Sequence, residues 1–113
     1  MARRESVPAG GGTAMLVLAL LKEREMYGYQ IIEELERRSN RVFQLKEGTL
    51  YPLLHSLEKD KLVTAQERAA DSGRMRRYYR ITSAGLRALE EKEQEWRVYA
   101  RAVTTVLAGG CPS

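Results

Sequence analysis

The chain lacks most of the groups on which enzymes and secreted proteins depend. Of its 113 residues one is cysteine, Cys111. No disulfide framework can form, and a reducing, cytoplasmic setting fits. There is one histidine, His55. It has no carboxylate or second histidine at ligand spacing, so neither a metal site nor a proton-transfer pair is built on it. No nucleophile–base arrangement, Walker loop or dinucleotide fingerprint occurs. The sequence therefore reads as a non-enzyme, with no catalytic residue, no metal and no cofactor. Long hydrophobic runs are missing too. Ala14 to Leu21 is continuously apolar for eight residues, whereas a membrane helix needs about 20. Arg3 and Arg4 are not followed directly by an apolar run, and no small-residue cleavage site is evident. A soluble protein without a membrane partner is the expectation.

Hydrophobic residues make up 43% of the chain, enough for one domain with a modest core. The net charge is +4 and the pI about 9.4. That balance suits a polyanionic partner.

The most informative stretch runs from Glu47 to Lys59. Leu50, Leu53, Leu54 and Leu57 fall at i, i+3, i+4 and i+7, on one face of a helix. The opposite face carries Gly48, Thr49, Pro52, His55, Ser56 and Lys59. Such a helix can rest on a core and still present hydrogen-bonding groups to base edges in a DNA major groove. Pro52 removes one backbone bond and predicts an irregular first turn.

Residues 1–12 read as a flexible, basic, glycine-rich arm. Thr13 can cap a first helix reaching about Glu23 or Arg24. Its centre is apolar on every side, which predicts burial on every side. A chain this small should cover only one face, so Leu16 and Leu20 are expected against a second subunit. Glu25 to Tyr29 reads as a connection, and Gly28 to Arg38 as a second helix with Glu33–Arg37 and Glu34–Arg38 pairs. Val42–Phe43 is expected to be a short buried connector. After the leucine helix, Leu62–Arg68 and Arg74–Thr82 read as strands joined by a turn at residues 69–73.

Thr82 is a good N-cap for a last helix over residues 83–108, followed by a tail, 109–113. Leu89, Trp96 and Val103 are spaced by seven. Leu86, Glu93, Ala100 and Leu107 repeat the spacing with an offset of three. This seam predicts pairing with a copy of itself or packing on a neighbour's first helix. Leu89, Trp96, Ala100 and Val103 are its expected interface residues.

Three helices, a hairpin and a helix are the order of a winged helix-turn-helix. The expected fold is mainly α with a two-stranded β-hairpin. The winged helix-turn-helix would occupy residues 13–82, with a long C-terminal dimerisation helix after it. The third helix would read DNA. The segment Gly73–Arg80 holds four arginines interleaved with tyrosines and no acid, which suits phosphate or minor-groove contact from a wing. A winged helix serving as a protein-interaction module, without DNA, is the alternative. It would not need arginines there.

In sequence order the chain carries Tyr27-Gly28-Tyr29-Gln30-Ile31, then Gly48 to Glu58 beginning Gly-Thr-Leu-Tyr-Pro-Leu-Leu, then Leu62-Val63 and Arg77 to Gly85. Over about residues 14–96 it resembles the PadR family of bacterial transcriptional regulators, in its short form with a single C-terminal helix. The resemblance implies a homodimeric repressor acting on a palindromic DNA operator. It assigns DNA contact to Tyr29 and Gln30 on the second helix and to Lys46, Thr49, Tyr51 and His55 on the third. On the wing it assigns Arg74, Arg76 and Arg77. It also implies a slot for a planar aromatic effector between paired Trp96 rings, with Met15 and Tyr99 lining the same space. Two residues depart from the family pattern. Lys46 stands where a Ser or Thr cap is common, and Lys61 where glycine is usual before the strand.

Overall fold

The computed structural model describes residues 7–109. The order is α1 (Val7–Glu23), β1 (Met26–Tyr27), α2 (Gly28–Arg38), α3 (Glu47–Lys59), β2 (Val63–Ala69), β3 (Met75–Ile81) and α4 (Ser83–Leu107). The helix expected from Thr13 starts at Val7, so residues 7–12 are helical rather than part of an arm. Residues 1–6 of the expected arm, and Cys111 in the tail, lie outside the described residues.

The two expected strands form the hairpin, with Ala65 opposite Tyr79 and Glu67 opposite Arg77. It is not alone. Met26–Tyr27 pairs antiparallel with Tyr79–Tyr78, giving a three-stranded sheet in the order β1-β3-β2. The supposed connection is thus a strand whose two residues are too few to display a period.

The core joins Val17, Leu18 and Leu21 of α1, Ile31 and Leu35 of α2, Leu50, Leu54 and Leu57 of α3, Met26, Val63 and Tyr79 of the sheet and Leu89 of α4. Leu53, at the margin of the apolar face of α3, is partly buried. Burial of α1 is more complete than expected. The helix packs against α2, β3 and α4, so the chain's own fourth helix covers much of the side assigned to a partner. Leu20 and Leu89 keep 3% and 2% of their surface exposed. Both were expected at a subunit interface, and neither has surface left to offer one.

Helix ends follow from local chemistry. Thr82 caps α4: the Gly85 amide donates to its hydroxyl oxygen at 3.0 Å, and the hydroxyl reaches the Lys61 and Leu62 carbonyls. α3 closes in a Schellman turn, with the Leu62 amide on the Leu57 carbonyl and the Lys61 amide on that of Glu58, each at 2.9 Å. Lys61 is left-handed there, with φ of 65°, at the position where the family pattern has glycine. At the start of α3, the Lys46 carbonyl accepts from both Thr49 and Leu50 amides. α2 ends in the same kind of turn at Asn40, and Arg41 is also left-handed, with φ of 68°. The chain reverses there and turns Val42 outward, 74% exposed, with Phe43 beside it also exposed. The buried connector expected at these two residues is therefore a surface turn.

Candidate nucleic-acid interface

α3 buries its leucines and leaves Thr49, Pro52, His55, Ser56 and Lys59 exposed. Its flank, carrying Glu47, Tyr51 and Glu58, faces the hairpin. Between that flank, the start of α2 and strand β3 lies an open groove of about 530 Å³. Tyr29, Tyr51, Arg74, Arg76 and Arg77 line it, with Glu47. Five of the nine residues assigned to DNA from the sequence therefore converge on one concavity. Thr49, Lys46 and His55 lie outside it and are exposed along α3 and its N-cap.

Gln30 has a structural task at the start of α2. Its side-chain carbonyl accepts from the Tyr27 amide at 3.1 Å, so it caps the helix whose surface it was expected to present. Tyr29 is half exposed. The Glu33 carboxylate beside it pushes the phenol's pKa up. The Tyr51 phenol is also raised, chiefly by burial.

Neighbouring arginines of β3 point to opposite faces of the sheet and differ in state. Arg76 lies over the ring of Tyr27, 4.2 Å from its centroid. Tyr27 meets Tyr78 edge to face at 5.4 Å, and Arg68 covers Tyr78 at 4.1 Å. Arg77 instead donates to both oxygens of Glu58 on α3, at 3.1 and 2.9 Å, and stands 3.6 Å from Glu67 on β2. The hydrogen bond to Glu58 raises its already high pKa. Arg80 and Arg68 share Glu25. Among the described residues no carboxylate pairs with Arg74 or Arg76.

Sequence reading missed Tyr27, Glu25 and Glu58. Nothing in the order of residues links Glu58 to Arg77, 19 positions apart. Tyr27 could have been found from the pairing of β1 with β3, which two residues do not announce.

On α4, Trp96 and Tyr99 are exposed and stacked, with ring centroids 5.7 Å apart and planes 30° from parallel. Val106 and Leu107 follow on the surface, Leu107 at 81% exposure. Met15, Leu16, Ala100 and Val103 are half-buried. No helix among the described residues is long and apolar enough to cross a membrane.

A helix-turn-helix with a hairpin standing beside its second helix, and a long helix following, is a winged helix-turn-helix. The chain belongs to the PadR-like family of transcriptional regulators, whose profile matches residues 17–91. It is 43% identical over 81 residues to the transcriptional regulator Rv3488 of Mycobacterium tuberculosis, 72% of each chain. Its fold is similar to that of a PadR-like transcriptional regulator of Bacillus cereus, with a TM-score of 0.76 at 32% identity over 90% of this chain and 97% of that one. A PadR family regulator of Eggerthella lenta gives 0.75 at 36% identity, over 86% and 82%. The protein is a transcriptional regulator, not an enzyme.

Proposed function

We propose that the protein is a sequence-specific, homodimeric DNA-binding repressor of the cytoplasm. The observation that carries this reading is the groove in which wing arginines and two tyrosines meet the flank of α3. On this reading the exposed face of α3 beside the groove, with Thr49 and His55, reads base edges. Arg74 and Arg76 meet phosphates.

Dimerisation is supported by α4, whose Trp96, Tyr99, Val106 and Leu107 form apolar surface that one chain leaves uncovered. Leu16, Ala100 and Val103 adjoin it in this reading. Two-fold pairing sets two α3 helices on successive turns of duplex, about 34 Å apart, so the operator is palindromic. The Trp96–Tyr99 stack offers a flat aromatic wall, and Met15 is assigned to the same pocket. A planar aromatic effector held there shifts the dimer away from its DNA-binding form.

Selection of duplexes from a random pool by the purified protein, with sedimentation and salt titration, tests the reading. A dimer, a palindromic consensus and affinity falling steeply with salt are expected. A monomer, or binding indifferent to salt, overturns it and favours a winged helix that recognises another protein. Quenching of Trp96 by planar cationic dyes tests the effector site.

A further inference from the structure

The family resemblance assigns Arg77 to DNA, yet its guanidinium is already engaged by carboxylates. One nitrogen donates to both carboxylate oxygens of Glu58 and another faces Glu67. Two carboxylates surround one cation, so the cluster carries no positive charge to spare for a phosphate. Its position is mechanical. Leu57, the residue before Glu58, is fixed in the core, and the turn after Lys59 is tied by hydrogen bonds. Glu58 is thus a firm anchor on the last turn of α3. Arg77 stands on β3 just behind the wing tip that carries Arg74. We propose that Glu58 and Arg77 form a clamp that sets the wing at a fixed distance from the reading helix. Both are positioning residues for DNA, and neither is a phosphate contact. The proposal rests on the DNA-binding reading only for its consequence, since the clamp itself joins two elements of the free protein.

Electrostatics and mechanics predict opposite signs for one substitution. Glu58→Gln removes a negative charge beside the DNA-binding groove. If Arg77 were a phosphate ligand, that change would free it and tighten binding. For a clamp, Glu58→Gln weakens binding by about three- to fivefold, the scale of a half-exposed ion pair. Arg77→Leu weakens it by a similar factor and leaves the slope of log affinity against log salt unchanged. A lost phosphate contact would lower that slope by about 0.9. The double variant is no weaker than the worse single one. The charge exchange Glu58→Arg with Arg77→Glu recovers affinity toward wild type. Tighter binding by Glu58→Gln, or a reduced slope for Arg77→Leu, overturns the proposal. Hydrogen exchange of the free protein supplies a readout independent of DNA. Both single variants speed exchange at hairpin amides from Ala69 to Met75 and leave α1 as it was. If the wild type binds no duplex, the DNA reading fails and this exchange pattern alone decides the clamp. Unchanged exchange at the hairpin then rejects it.

Discussion

The ring of Tyr51 lies on Gly28 where a Cβ would stand. Such an atom would overlap the phenol oxygen and come within 2.7 Å of Cζ and 2.9 Å of Cε1. One side chain on α3 thereby seats itself on the first residue of α2, and the missing side chain sets how closely the helices of the helix-turn-helix approach. Gly28→Ala should destabilise by up to about 1 kcal/mol, since the exposed phenol end of Tyr51 must swing aside. In a Tyr51→Ala background the overlap is gone. The same change then becomes neutral or stabilising by up to about 1 kcal/mol, because alanine favours helix. Urea denaturation of the two singles and the double measures this reversal of sign. Additive effects would show that the contact is not what limits the site.

Lys61 completes the turn that ends α3, with its φ of 65° in the left-handed region. A residue with a Cβ is disfavoured there by about 1–2 kcal/mol, part of which glycine gives back as extra freedom of the unfolded chain. Lys61→Gly should therefore raise stability by about 0.5–1 kcal/mol. Lys61→Val should lower it, since a β-branched residue tolerates that backbone least. Thermal melts of the two variants should bracket the wild type.

The turn at Lys61 shows what could be read in advance. The leucine spacing located α3, and the Ile31, Ile32 and Leu35 face with its flanking charges located α2, at the residues the structure gives them, because an amphipathic helix writes its period into the sequence. Thr82 announced its cap through its side-chain type. What stayed hidden depended on the third dimension. Val42 and Phe43 are apolar and look buried, but two left-handed residues before them turn the chain outward. Leu20 sits on a helix apolar on every side and Leu89 on a heptad spacing, yet both are core because α4 folds back on α1. Of the DNA-facing set, the tyrosines and arginines of the groove were legible as residue types. That Gln30 is a cap and Arg77 an ion-pair partner was not, since neither commitment leaves a local pattern.

Acid should weaken one link between helices in a defined window. The Glu34 carboxylate accepts hydrogen bonds from Arg37 and Arg38, and Arg38 also reaches Glu23 on α1. These bonds lower the Glu34 pKa from 4.5 to about 2. A group whose pKa is lower in the folded state stabilises that state above its unfolded value, and loses the effect as pH falls toward the folded one. Glu34→Gln should therefore lower the melting temperature by a constant amount down to about pH 5. The gap should close progressively between pH 4.5 and about 2. Calorimetry across that range checks it. A gap that persists near pH 2 would mean that the carboxylate's charge is not the source.

Arg76 is held differently from Arg77, and the difference is measurable on DNA. Its guanidinium lies on the Tyr27 ring, which is braced in turn by a T-shaped contact with Tyr78. A stacked guanidinium keeps its charge and its outward N–H groups, so the tyrosine fixes the plane without consuming the cation. Arg76→Ala should weaken DNA binding across all sequences and lower the salt slope by about 0.9 for one lost phosphate contact. Tyr27→Leu removes the support but no charge. It should weaken binding by about two- to fivefold, the worth of an exposed stack, and leave the slope intact. Tyr27→Phe keeps a ring face and should behave as wild type. If Tyr27→Leu lowers the slope as much as Arg76→Ala, the tyrosine governs whether the arginine reaches the phosphate at all. If Tyr27→Leu changes neither affinity nor slope, the stack plays no part in presenting Arg76.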